Sequence, residues 1–233
     1  MALRLILNAD DFGYDPAVTR GIVQSMREGI VSSTTMIVNS PHSAEAARDA
    51  KGLAIGLHLN LVRFEAVSTK QPLDEKTNHE RAFVEQETHA QLDRLRALLG
   101  RDATHIDVHK HWHLKSEVLA GLAAAAKQRG LAVRSINDAQ RTELQRLGVH
   151  TNDAFLGDAG TDAYWTVARW EEQLRLAPRD GVVELMCHPG YRPSHLSSGY
   201  GEQRETELTT FLDPRARAAL TTHGLTLSSW AGV

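Results

Sequence analysis

The sequence predicts an α/β protein whose mainly parallel sheet closes into a TIM-barrel-like (β/α) barrel, irregular, with seven or eight strands. Three observations predict it. Short apolar runs rich in β-branched residues alternate with helical patterns at intervals of roughly 25–30 residues, as in a succession of βα units. Seven or eight such units within 233 residues favour a barrel over an open doubly wound sheet. The turn after the first strand, Asp10-Asp11-Phe12-Gly13, lacks the glycines of a dinucleotide-binding turn. No linker, low-complexity tract or internal repeat divides the chain, so residues 1–233 are expected to form one domain.

Residues 3–9 are almost continuously apolar, as expected of a strand buried on both faces. Asp15-Pro16 reads as the N-cap and first position of a helix that stops at Gly29. Residues 33–38 read as a strand, 41–50 as a short helix closed by Gly52, and 53–61 as a third strand carrying His58 near its end. Residues 63–77 show no period and read as a long loop, a length that tends to be functional or mobile. Phe83, Leu92, Leu95 and Leu99 then form a helical stripe over 79–99, ended by Gly100.

Residues 104–113 alternate. In an extended strand His105, Asp107, His109, His111 and His113 would share one face, with Ile106, Val108 and Trp112 on the other. So many imidazoles beside a carboxylate make a poor core surface and a suitable metal face. Helices are expected at 117–129 and 138–147, closed by Gly130 and Gly148, with strands at 131–136 and within 149–156. A helix over 163–176 carries Trp165 and Trp170, which read as core. Residues 182–187 form a further strand closed by His188-Pro189-Gly190, followed by helices at 204–212 and 214–221 and a short strand at 225–227.

Composition removes several function classes. The chain is 42% hydrophobic and 24% charged with a formal net charge of −3, so it has no electrostatic footprint for nucleic acid or an anionic membrane. No stretch reaches the ~18 apolar residues of a membrane span, and the apolar run in residues 1–8 is too short for a signal sequence. The single cysteine, Cys187, excludes an intrachain disulfide and fits a reducing compartment. The expectation is a soluble cytoplasmic protein without nucleic-acid or membrane partners. A homodimer is left open.

Four polar clusters fall at the predicted C-terminal ends of strands: Asp10/Asp11, His58, Asp107/His109 and His188. That edge is where parallel α/β folds build active sites. Each cluster alone has a plainer reading. Asp10-Asp11 could cap a helix, His58 could be a hydrogen-bonded core histidine, and His188-Pro189-Gly190 could be an ordinary turn. The His-x-His of amidohydrolase-like barrels, the His-Glu-x-x-His of zinc proteases and the Asp-x-Asp of aspartyl-phosphate phosphatases are all missing.

Taken together, Asn8-Ala9-Asp10-Asp11-Phe12-Gly13, Gly29-Ile30-Val31-Ser32-Ser33-Thr34-Thr35, Gly56-Leu57-His58-Leu59, Thr104-His105-Ile106-Asp107-Val108-His109 and Glu184-Leu185-Met186-Cys187-His188-Pro189-Gly190-Tyr191 resemble the YdjC-like (ChbG-like) carbohydrate deacetylase family. Arg204-Glu205 and Glu207-Leu208 extend the resemblance toward the C-terminus. It implies a metal-dependent deacetylase of N-acetylated sugars on a barrel-like fold, with one divalent ion, zinc or magnesium. Asp11, His58 and His109 would be the metal ligands, Asp10 the general base and His188 the general acid. Asp107 would orient an imidazole. His111, His113 and Tyr191 would line the mouth or meet substrate, and either histidine could replace a ligand. Two other readings stay open: a metal-dependent hydrolase of another amide or ester, and a non-catalytic sugar-binding protein.

Overall fold

The computed structural model describes residues 3–77, 79–158 and 164–231. Strand β1 (Arg4–Phe12) lies between β2 (Ser33–Met36) and β7 (Val182–Cys187), parallel to both. Strands β3 (Ile55–Leu59), β4 (His105–Val108) and β5 (Ala132–Val133) continue from β2, and β6 (Ala154–Leu156) lies beyond β7. The result is a parallel seven-strand sheet curled into a half-barrel, with a short β8 (Leu227–Ser228) paired to the lower end of β1. Strand order follows chain order around the curl. The two edges, β5 and β6, are drawn together by the Val133 amide donating to the His150 carbonyl at 2.9 Å and by Asn152 bonding Ser135.

The helices are α1 (Pro16–Arg27), α2 (Ser43–Ala46), α3 (Arg81–Leu99), α4 (Ser116–Arg129), α5 (Asp138–Leu147), α6 (Val167–Leu176), α7 (Glu202–Leu212) and α8 (Pro214–Thr222). Asp15 caps α1 by accepting from the Ala17 amide, with Pro16 as its first residue. The expected helix over 163–176 begins at Val167, and residue 163 lies outside the described residues. Trp165, Trp170 and Phe211 pack with ring centroids 5.8–6.2 Å apart, and both indole N–H groups donate to backbone carbonyls. This block holds α6, α7 and α8 together, each aromatic pair contributing about 0.5–1.5 kcal/mol beyond its burial.

Alternation divides the central strands between two buried faces. Leu5, Leu7 and Ala9, Ile106 and Val108, and Val183 and Leu185 belong to the apolar layer under the helices. Between them, Asn8 and Asp10, Thr35, His58, His105 and Asp107, and Glu184 take the other face, into the curl. A single apolar cluster, Ile6, Ala132 and Trp230, closes its floor, and His105 stacks on Trp230 at 4.9 Å. Gly56 leaves room for that imidazole, since a Cβ there would meet His105 Nδ1 at 2.4 Å.

Three expectations change. First, β1 extends to Phe12, so both aspartates lie within the strand. Second, the strand expected over 131–136 is two residues long. Third, the alternating histidine stretch leaves the sheet after Val108. Residues His109–Leu114 form 3₁₀ turns in which Lys110 and His111 take left-handed backbone angles (φ 55° and 54°), so His111 and His113 leave the face shared by His105 and Asp107.

Candidate active site and metal centre

Adjacent residues on a regular strand point to opposite sides, yet Asp10 and Asp11 both reach the open end of the curl. The cause is a bulge. Between the pairs Ala9↔Thr34 and Phe12↔Met36, β1 inserts two residues against the single Thr35 of β2, and Asp11 adopts φ 73°. Strained backbone of this kind concentrates at functional sites. Asp15, not the Asp10-Asp11 pair, is the helix cap.

Asp11 Oδ1 lies 3.3 Å from His58 Nε2 and 3.3 Å from His109 Nδ1, and those two nitrogens are 3.2 Å apart. Three such atoms around one point could hold a divalent cation. The spacing fits: donors about 2.0–2.1 Å from a tetrahedral ion stand about 3.3–3.4 Å apart. Asp11 Oδ1 is buried and has no hydrogen-bond partner, consistent with a donor aimed at a cation. On the far side of His58, Nδ1 donates to Asp107 Oδ1 at 2.6 Å, and Asp107 Oδ2 accepts from the Thr35 hydroxyl at 2.8 Å. That chain selects the tautomer that turns the Nε2 lone pair toward Asp11 and His109.

Arg134, at the end of β5 and fully buried, is the counter-charge. It binds Asp10 with two nitrogens (2.7 and 2.8 Å), Glu184 at 2.7 Å and Asp107 at 2.8 Å. Arg204, reaching in from α7, takes the remaining Asp11 oxygen at 2.5 Å. Asp10, Asp11, Asp107 and Glu184 thus face two guanidiniums, and burial raises the Glu184 carboxyl to about 7 and the Asp107 carboxyl above its usual range, so protons meet part of the balance. Burial opposes ionisation of Asp10, but the Arg134 guanidinium holds its carboxyl far below the usual range. Asp11 is likewise held low against burial, by Arg204 and the two imidazoles. Burial also opposes charge on His58, yet Asp107 raises its pKa to about 10, so Nε2 carries a proton that a bound cation would displace.

Asp10, Asp11, His58 and His109 floor a cavity of ≈ 180 Å³ whose walls include His111, His188, Tyr200 and Arg63. Burial pushes His188 down to about 4, against the opposing pull of Asp10 and Asp11. Its backbone N–H donates to Glu207 Oε2 at 2.6 Å. His111 edges onto Phe155 and backs onto His113, which is fully buried. Tyr191 lies away from the cavity: its hydroxyl donates to Gln24 and Arg20 covers its ring. The expected ligand set, Asp10, Asp107, His111 and His188 therefore come together, while His113 and Tyr191 pack behind the walls. Sequence reasoning missed Arg134. Its signal was an arginine inside the strand expected over 131–136.

Glu207 carries a pH signature. Burial raises its carboxyl to about 7 despite the amides that donate to it. The unfolded chain releases this proton near 4.5 and the folded chain near 7, so the stability it contributes is complete below 4.5 and lost as pH rises through 7. Relative to Glu207→Gln, the wild type is expected to lose on the order of 3 kcal/mol of stability between pH 4.5 and pH 8. Urea unfolding of both proteins across that range checks it; parallel curves would contradict it.

Comparison with known proteins agrees with this architecture. The YdjC-like protein family profile matches residues 4–222. A chitooligosaccharide deacetylase of Serratia marcescens is 32% identical over 248 residues, covering 97% of this chain and 97% of that protein. Among solved structures, a candidate cellobiose-phosphate cleavage protein of Enterococcus faecalis superposes with a TM-score of 0.84 at 26% identity, over 99% of this chain and 98% of that one. A family 4 carbohydrate esterase of Streptomyces lividans in complex with acetate gives 0.51 at 11% identity, over 97% and 91%, a likeness of fold. Its matched length and its full-length relatives make this chain a member of the YdjC-like protein family.

Proposed function

We propose that this protein is a carbohydrate deacetylase that hydrolyses the acetamide of an N-acetylated sugar, using one divalent metal ion held by Asp11, His58 and His109. The observation that carries this reading is the convergence of those three donor atoms on the cavity floor, with Asp10 and His188 beside them. The chitooligosaccharide deacetylase relative supports the substrate class. Two imidazoles and a carboxylate at 3.2–3.3 Å favour zinc over magnesium, whose octahedral ligands stand closer, at about 2.8–3.0 Å.

When bound, such a cation polarises the acetyl carbonyl and increases the acidity of a water beside it. Everything else falls to the chain. Asp10 takes the proton of the attacking water, and its Arg134 clamp keeps it ionised and aimed. Asp107, braced by Thr35, keeps the His58 lone pair on the floor of the cavity. His188 delivers a proton to the departing amine. Burial keeps it neutral at rest, so the proton it delivers is the one Asp10 takes from the attacking water, passed to the imidazole as negative charge develops on the attacked oxygen.

Acetate release from a panel of N-acetylated mono- and oligosaccharides, with and without chelator, tests the reading. Release that chelator abolishes and zinc restores is expected. His109→Ala is expected to lose most of its bound metal in an elemental assay, and full occupancy would remove His109 from the ligand set. Activity confined to simple esters would replace the amide assignment, and sugar binding without turnover would end the enzymatic one.

A further inference from the structure

The cavity has one wall that the strand ends do not supply. Ser198, Gly199 and Tyr200 line it from the segment between β7 and α7. That segment is tied to the residues that follow the two aspartates. Asp15, fully buried, accepts from the Ala17 amide to cap α1 and from the Ser194 amide at 3.4 Å with the same oxygen. Its other oxygen accepts from the His195 and Leu196 amides at 2.8 and 3.1 Å. A helix cap needs one acceptor; this carboxylate uses its second to hold a segment some 180 residues away in the chain.

The neighbouring Tyr14 repeats the arrangement. Its hydroxyl donates to the Ser197 carbonyl at 2.7 Å and accepts from Arg63 at 2.5 Å. Three consecutive amides and a carbonyl are thereby fixed just before Tyr200. The Tyr200 ring then meets the His188 imidazole edge-on at 5.1 Å, with the Arg204 guanidinium 5.5 Å from its centroid. Of the phenol rings lining the cavity, Tyr14 is buried, whereas Tyr200 is partly exposed. Tyr200 lines the cavity of ≈ 180 Å³ together with His188, so a sugar whose acetamide sits over the floor would meet this ring.

We propose that residues 194–200 form the substrate-selecting wall of the cavity, tied in place by Asp15, and that Tyr200 on this wall meets the sugar beside His188. The assignment rests on the deacetylase reading. Asp15 is a positioning residue: it touches no substrate and acts through the wall. An apolar ring face against the C–H face of a pyranose, next to the group that protonates the amine, aligns the acetamide over the floor.

The test compares wild type, Tyr200→Ala, Tyr200→Phe and Asp15→Ser in acetate release from a short chitooligosaccharide, resolved into kcat and KM. Serine retains helix-capping ability but cannot reach the His195 and Leu196 amides. KM is expected to rise at least about fivefold in Tyr200→Ala and in Asp15→Ser, with Tyr200→Phe restoring the wild-type value. Amide exchange at His195 and Leu196 is expected to accelerate by roughly tenfold or more in Asp15→Ser alone. Wild-type turnover with unchanged KM in Tyr200→Ala overturns this assignment and leaves the deacetylase reading standing. Unchanged exchange in Asp15→Ser overturns the tie. Wild-type protein that releases no acetate from any sugar overturns both readings.

Discussion

Asp10→Asn is expected to lose about 10²–10⁴-fold in kcat for acetate release while keeping its bound metal. The two halves of this result come from different atoms. Neither Asp10 oxygen belongs to the Asp11, His58 and His109 cluster, so the donor set survives the substitution. Asparagine keeps one acceptor for Arg134 but presents an amide N–H₂ where the second guanidinium nitrogen donates, and it cannot take a proton from water. Elemental analysis and steady-state kinetics on the same preparation check both halves. Near-wild-type kcat would remove Asp10 as the base, and loss of metal would make it part of the metal site.

Arg134→Leu is expected to be the most destabilising substitution in the site. Asp10, Asp107 and Glu184 are at most 2% exposed and all lean on this guanidinium. Removing one partner of a buried ion pair costs about 3–5 kcal/mol, because the remaining charges have neither water nor a counter-ion. At roughly 2–4 °C per kcal/mol for a chain of this size, the melting temperature is expected to fall by about 6–20 °C. The sign of its pH dependence follows. Without Arg134 the three carboxyls hold their protons to higher pH in the folded state than in the unfolded one. The deficit relative to wild type therefore widens as pH rises from 5 to 8 and narrows in acid. Arg134→Lys keeps the charge without the fork and is expected to fall between the two. Thermal unfolding at several pH values checks the series, and a Tm of Arg134→Leu within 2 °C of wild type would remove the keystone role.

Much of the fold was legible because local chemistry and tertiary structure agree. The apolar run that begins β1, the Asp15-Pro16 start of α1 and the glycines after α3, α4 and α5 act within a few residues of themselves. The end of β4 was less legible. Alternation continues through His111 and His113, but their backbone turns at Lys110 and His111, where packing against Phe155 and the cavity wall overrides a period of two. Tyr191 had the composition of a substrate contact and lies instead against Gln24 and Arg20. Composition says nothing of which way a side chain faces.

The order of residues along the chain determined which chemical groups arrive at the ends of the parallel strands: Asp10 and Asp11, His58, Asp107 and His109, and His188. Strand ends are a one-dimensional property, written in local apolar runs and turn residues, and so they can be read from the sequence. What only the folded chain decided was which of those groups meet, and which charges oppose them. A bulge in β1 brings adjacent aspartates to one opening, and the curl of the sheet carries Arg134 across to Asp10, over a separation of 124 residues. Both depend on register between strands far apart in sequence, and on the cost of burying a carboxylate without a partner. Neither quantity exists until the sheet has closed.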